Sequence, residues 1–513
     1  MPVEIELKLT LPLKHSNRLL RLPFLQSLHT LRSSTQNLYT IYYDTSDFYL
    51  KNKGIALRLR RVGKDWIQTI KGHGRILAGL FQHREWEVSV NSAKPDYTKI
   101  TDPCFQKLFD DPALIEQIQP RFFTQFTRNI RVLQLDDGSE IEFCLDRGKI
   151  LTKNLTLPIC EIELELKLGN ASQLFLFALA LQKVSPFPLK LENASKAERG
   201  YRLSSGKIKP PMKATDAILN KEMSANVAFK TVFCNCLEHL SSNENGMLIE
   251  DNIEYLREMW IALGRLRFAL KLYSKTFSAD AVTSLRRDLK WLSKKFNPAI
   301  DWDIFVINAL QEIQGAYPNH AGVKRLLKTS KEIGCLHLET ARRSVKSKRY
   351  VSIMLKLGAW LSDDHLTRSS AVEQTSVKFN GAIEKFASKL LTEQHQKINN
   401  YGKTLTGLKV SELQLLRKMI KKQCYATELF ANLYPNNKIS QYLNSLYKLR
   451  DIIEALKGDA VIKKLLNEVN ISQNEQVKNE AIGVLLGWTM HRSFQKKLAL
   501  NHSWISFNKI HLF

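Results

Sequence analysis

The sequence predicts two architectures in series: a closed antiparallel β-barrel with accessory helices, class α+β, over residues 1–205, and an all-α helical bundle behind it. Two observations carry this expectation. Short segments in the first part alternate apolar with charged residues, as strands do whose successive side chains point to opposite faces. After Lys209-Pro210-Pro211 that alternation gives way to apolar residues at helical spacing with few internal prolines.

The first strand is Val3-Glu4-Ile5-Glu6-Leu7-Lys8-Leu9, with Val3, Ile5, Leu7 and Leu9 on one face and Glu4, Glu6 and Lys8 on the other. Ile55, Leu57 and Leu59 alternate with Arg58 and Arg60. Cys160, Ile162, Leu164 and Leu166 alternate with Glu161, Glu163, Glu165 and Lys167. Between them lie Thr69-Ile70-Lys71, His83-Arg84-Glu85-Trp86-Glu87, Phe126-Thr127-Arg128, Glu140-Ile141-Glu142 and Leu145-Asp146. A single solvated strand would also carry charges. Recurrence of the device in several strands points instead to a barrel whose charged face lines the interior. Balanced carboxylates and guanidinium groups suit a wet lumen and are costly in a dry core. Such a lumen fits a polyanion bound with a divalent cation: carboxylates are hard oxygen ligands, and Arg and Lys clamp phosphate oxygens.

These residues resemble the CYTH domain, the triphosphate tunnel metalloenzymes. Glu4-Ile5-Glu6-Leu7-Lys8 matches the family's ExExK signature. Tyr43-Asp44-Thr45, Gly54-Ile55-Ala56-Leu57-Arg58-Leu59-Arg60, Thr69-Ile70-Lys71-Gly72, Arg84-Glu85-Trp86-Glu87, Arg128, Glu142, Asp146, the Glu161/Glu163/Glu165 strand and Ser195-Lys196-Ala197-Glu198-Arg199-Gly200-Tyr201 follow in order. The resemblance implies an eight-stranded barrel binding a triphosphate with Mg2+ or Mn2+. The family includes inorganic triphosphatases, thiamine triphosphatases and class IV adenylate cyclases. It implies metal ligands at Glu4, Glu6, Asp146, Glu161 and Glu163, and substrate contacts at Lys8, Arg58, Arg60, Lys71, Arg84, Arg128 and Lys196, with Lys8, Arg58 and Arg60 at the reacting phosphates. The strand carrying Arg84 has two possible registers, because Trp86 shares its face.

Composition agrees with a cytoplasmic enzyme. The seven cysteines are scattered without paired metal-ligand spacing and read as reduced thiols. The first strand starts almost at the initiator Met, so no signal peptide is expected. The longest apolar run, Leu174 to Leu181, is too short to span a bilayer and reads as a buried helix, so no membrane partner is expected. A net charge of +26 calls for a polyanionic partner. Nucleic acid is disfavoured, since no zinc finger, aromatic RNA-binding signature or basic arm is present; phosphate chains satisfy the charge equally well.

Residues 206–216 read as a linker, and 217–513 as helices in two repeats, about 217–370 and 375–513. Over 253–273, Leu256, Met259, Leu263, Leu266 and Leu270 form an apolar face. A second stripe at i, i+3, i+7, i+10 and i+14 holds Arg257, Trp260, Gly264, Arg267 and Lys271. Gln414, Arg417, Lys421, Cys424 and Glu428 repeat that spacing, and acids follow each stripe at Asp301, Asp303 and Asp459. The repeat resembles the CHAD domain, a helical module that binds inorganic polyphosphate. Polyphosphate contacts are then expected at Arg257, Arg265, Arg267, Lys271, Arg417, Lys421 and Lys422. Arg257 and Gln414 stand where the family pattern places histidines, and Trp260 is read as a packing residue.

Three functions follow as expectations. The first is a metal-dependent inorganic triphosphatase that cleaves tripolyphosphate to pyrophosphate and phosphate, with a basic helical domain for long-chain polyphosphate. The second is a nucleotide-directed enzyme, an adenylate cyclase or a nucleoside or thiamine triphosphatase. The third is a non-catalytic polyphosphate-binding protein.

Overall fold

The computed structural model describes residues 3–274, 279–363, 382–402, 410–469 and 475–510. The expected boundary between helical repeats, 370–375, and the side chain of Asp459 lie outside the described residues. The chain forms two compact units, Met1–Pro210 with Lys346–Leu366, and Pro211–Val345 with Thr367–Phe513.

Eight strands build the barrel of the first unit: β1 (Val3–Thr10), β2 (His29–Asp44), β3 (Ala56–Val62), β4 (Asp65–Leu77), β5 (Leu80–Val90), β6 (Gln119–Gln134), β7 (Glu140–Leu151) and β8 (Thr156–Leu168), and a two-residue strand, Lys190–Leu191, adds to β1. They pair antiparallel in the order β5-β4-β3-β2-β6-β7-β8-β1, and β1 also pairs with β5, which closes the barrel. Closure removes both sheet edges. Tight turns keep neighbours in register. Leu77 pairs with Leu80 across Ala78 and Gly79, both at positive φ (51° and 80°), the left-handed backbone that a two-residue hairpin requires.

Alternation places one set of side chains outside and the other inside. Outside β2 to β5, Ile41, Leu57, Leu59, Ile70 and Trp86 pack with Ile100, Phe105 and Phe109 from the β5–β6 connection. Inside, Leu38, Tyr42, Phe122, Phe126, Ile150 and Ile159 join Tyr201 in an apolar floor. Tyr201 belongs to α2 (Lys196–Ser205), which follows α1 (Ser172–Val184). Ser195 caps α2, its hydroxyl accepting from the Glu198 amide at 3.1 Å. Gly200 lets this helix approach Phe122, where a Cβ would stand 2.0 Å from the ring. Asp44, fully buried, accepts from the amides of Thr45, Leu50 and Lys51 at 2.7–3.0 Å, so the Tyr43-Asp44-Thr45 segment anchors the chain leaving β2.

The second unit contains α3 (Ala225–Ser242), α4 (Glu254–Tyr273), α5 (Ala279–Phe305) and α6 (Ala321–Val345), then α8 (Ile383–Tyr401), α9 (Val410–Leu429), α10 (Asn436–Glu468) and α11 (Glu475–Asn508). Consecutive helices pack within each set of four, and α3 meets α8, α4 meets α9, α5 meets α10 and α6 meets α11. Like meets like, as an internal repeat requires. Leu256, Met259, Leu263, Leu266 and Leu270 are all buried, as their spacing predicts. The helix between the sets, α7 (Lys348–Ser362), falls in the first unit, although its sequence lies within the predicted helical half.

Candidate active site in the barrel lumen

The charged face of the strands points inward. Glu6, Lys8, Arg58, Asp146, Glu161, Glu163 and Lys196 are each no more than 9 % exposed, although every one carries a charge. Backbone register brings them together. Lys8 lies opposite Glu163, and Arg128, Asp146 and Glu161 form one row across β6, β7 and β8.

On the acidic wall, Arg128 reaches Asp146 through two hydrogen bonds of 2.8 and 2.7 Å and also touches Glu163. Lys196 contacts Asp146 at 2.6 Å and Glu163 at 2.9 Å and pairs with Glu161. Lys8 bridges Glu6 at 2.8 Å and Glu163. Burial opposes ionisation of Glu163, yet Lys196, Lys8 and Arg128 outweigh it and hold the carboxyl well below its ordinary range. Asp146 is lowered in the same way by Arg128 and Lys196. Arg199, which the spacing does not single out as a contact, pairs with Glu161.

The opposite wall is cationic. Arg58 meets Glu85 at 3.0 Å and Glu87 at 3.6 Å; Lys71 meets Glu85 at 3.2 Å and pairs with Glu4. Arg60 differs. Among the described residues no carboxylate pairs with it, and its buried Nε has no hydrogen-bond partner. Burial, then the charges of Arg58 and Arg128, push its pKa down to about 10.

The structure divides the expected residues. Lys8, Arg58, Arg60, Lys71, Arg128 and Lys196 share the lumen. Arg84 does not: it lies on the outer face with Trp86, exposed, with Nη1 3.0 Å from Cys104 Sγ. Its neighbour His83 takes the inward position, opposite Glu4, with Lys71, Glu6 and Lys8 close enough to affect its titration. Burial and then Lys71 lower the His83 pKa. Two-residue periodicity running from Glu85 and Glu87 identifies His83 once those acids are placed inside.

Of the expected metal ligands, Asp146, Glu161 and Glu163 offer oxygens that all lie within 4.8 Å of one another. Such a hard-oxygen set fits Mg2+ or Mn2+. Glu4 and Glu6 are not in that group; Glu4 pairs with Lys71 and Glu6 with Lys8.

In the helical unit the predicted stripe is partly neutralised. Arg257 pairs with Glu254 and Asp303, and Arg417 with Glu454. Arg265 is 1 % exposed, with Nη2 donating to the Thr215 carbonyl at 3.2 Å, so it lies inside the bundle, off the stripe. Arg267, Lys271 and Lys422 are exposed. Lys421 lies over the Trp260 ring, 4.3 Å from its centroid. Burial, followed by the charge of Arg417, lowers its pKa to about 8. Trp260 also donates from Nε1 to Asn297 at 2.8 Å, which ties it to the bundle.

Comparison with known proteins agrees with this geometry. Residues 2–201 match the CYTH domain and residues 231–467 the CHAD domain. An inorganic triphosphatase from Haemophilus influenzae is 33% identical over 175 residues, 33% of this chain and 47% of that relative, so the match spans about half the relative's length. A CHAD domain from Ricinus communis aligns at 23% identity and a TM-score of 0.49, over 57% of this chain and 96% of that one. An adenylyl cyclase candidate from Hippeastrum with a dominant triphosphatase activity aligns at 19% identity and a TM-score of 0.30, over 40% and 98%. No described helix is long and apolar enough to cross a membrane. Together the family matches make this chain a CYTH-domain protein, over residues 2–201, with a CHAD domain following in sequence over residues 231–467.

Proposed function

We propose that the barrel hydrolyses inorganic tripolyphosphate to pyrophosphate and phosphate with a divalent cation, and that the basic face of the helical unit holds longer phosphate chains. Arg60 carries the reading. A buried guanidinium that feels the charges of Arg58 and Arg128, and that no carboxylate among the described residues pairs with, is an electrostatic cost that a bound polyanion removes. Phosphoryl transfer needs charge placed around the moving phosphoryl group more than covalent chemistry. Arg58, Arg60 and Arg128 offer planar forks for nonbridging oxygens, and Lys8, Lys71 and Lys196 offer point charges. The apolar floor of Tyr42, Phe122 and Phe126 beneath them limits solvent and strengthens each of these interactions.

Asp146, Glu161 and Glu163 would hold the metal, Mg2+ or Mn2+. When bound, it supplies charge neutralisation on phosphoryl oxygens and lowers the pKa of a bound water. With the metal held there, Lys196, Lys8 and Arg128, which pair with these carboxylates, would be available to the substrate. The relative from Haemophilus influenzae, named for inorganic triphosphatase activity, supports this choice of substrate.

The test is phosphate release from tripolyphosphate, ATP and thiamine triphosphate in Mg2+ or Mn2+. A kcat/KM highest for tripolyphosphate, abolished by Arg60→Ala, is expected. A higher value for ATP transfers the lumen to nucleotide chemistry. Absence of turnover on all three, with tight binding retained, leaves a polyphosphate-binding protein.

A further inference from the structure

Helix α6 ends at Val345 and α7 begins at Lys348, and there the chain enters the barrel unit. The CHAD match, residues 231–467, runs through α7, so family and spatial borders differ. Along this short helix Tyr350, Val351, Ile353, Met354, Leu355 and Leu357 are at most 2 % exposed. Within the unit it packs against α1 and against the short strand Lys190–Leu191. Gly358 lies so close to Phe175 that a Cβ there would stand 2.1 Å from the ring, and Lys348 Nζ donates to the Ser185 carbonyl at 2.5 Å. α1 also packs against β1 and β8, the strands that carry Glu6, Lys8, Glu161 and Glu163.

We infer that α7 is a bracing part of the catalytic unit: a clip, encoded inside the helical half, that seats α1 against the wall bearing Lys8, Glu161 and Glu163. The barrel unit is therefore assembled from two separated stretches. A fragment ending at Lys209 lacks the cover over Phe175. The positional consequence for catalysis rests on the triphosphatase reading; the assembly does not.

Protease recognition sequences placed in the full-length chain at 209–211, 346–347 and 363–366 test the assembly, after the uncut protein is shown to melt like the parent. Following cleavage in native buffer, the α7 peptide is expected to elute with the barrel fragment. Elution with the helical fragments, or free, overturns the inference. In the uncut chain, Gly358→Leu is expected to lower kcat on tripolyphosphate at least several-fold with KM nearly unchanged. Lys348→Met, a milder change, is expected to speed loss of the peptide after cleavage. Co-elution with an unaltered kcat in Gly358→Leu sinks the bracing role. A parent protein inactive on every triphosphate, with the peptide still bound to the barrel, sinks only the triphosphatase reading.

Discussion

Arg128 holds Asp146 in a bidentate grip, Nε to Oδ1 at 2.8 Å and Nη2 to Oδ2 at 2.7 Å, directly across the β6–β7 register. The carboxylate is fully buried. Removing one partner of a buried pair strands the other charge, which costs more than the pair contributes. Arg128→Ala is expected to destabilise the barrel by roughly 3 kcal/mol, the lower end for such losses because Lys196 remains on Asp146. Chemical denaturation measures this; Arg128→Lys should recover charge but not the fork. The same pair sets acid stability. Burial resists ionisation of Asp146, but Arg128 and Lys196 lower its folded pKa below the unfolded value of about 4. The unfolded chain then binds more protons, so this stabilisation is fully present above pH about 4 and is lost as pH falls below it. Melting temperature against pH should show that decline, and Asp146→Asn should lessen it.

His83 and Arg84 are neighbours with opposite fates. His83→Ala is expected to reduce kcat/KM for tripolyphosphate about tenfold, the effect of losing one hydrogen bond to a charged group. Arg84→Ala, outside the barrel, should leave turnover within about twofold. Reversal of the two effects would show that the substrate approaches from the other face.

Chelation should separate activity from folding. Lys8, Arg128 and Lys196 already neutralise Asp146 and Glu163. Stripping divalent ions is therefore expected to abolish turnover while the melting transition stays nearly in place, unlike small structural zinc domains, which unfold without metal. A large fall in melting temperature would show that the acids depend on the ion for stability.

Lys421 provides a pH test of the helical unit. Burial and the neighbouring Arg417 lower its pKa to about 8, so its proton is lost as pH rises through that value. A bound polyanion favours the protonated form. Affinity for long-chain polyphosphate should therefore be level below pH about 8 and fall above it. Calorimetric titration at pH 7 and 9 measures the change, and Lys421→Arg should flatten it.

Much of the barrel was legible as period-two alternation. Leu7, Leu57 and Leu164 are fully buried on the outer side, while Glu6, Arg58 and Glu163 line the inner one. The positions of Arg84 and Arg265 were not legible. A strand shifted by one residue exchanges its faces, so the Arg84 segment allowed two registers until pairing with β1 set one. Arg265 adjoins the predicted stripe, and only the arrival of Thr215 and Asn235 beside it shows that it is enclosed. Helix α7 has helical periodicity like its neighbours, and nothing local says which unit it joins.

By itself the sequence determined the periodicities, the excess of cations and the order of acids and bases along each strand, because these are properties of neighbouring residues. Only the tertiary structure decided which charges meet. Lys8 and Glu163 are 155 residues apart in the chain, and barrel closure with its fixed register puts them in contact. The same closure leaves Arg60 under the charges of Arg58 and Arg128, with no carboxylate paired to it among the described residues. That imbalance, a consequence of where strands end up rather than of what any one contains, is what prepares the lumen for a polyanion.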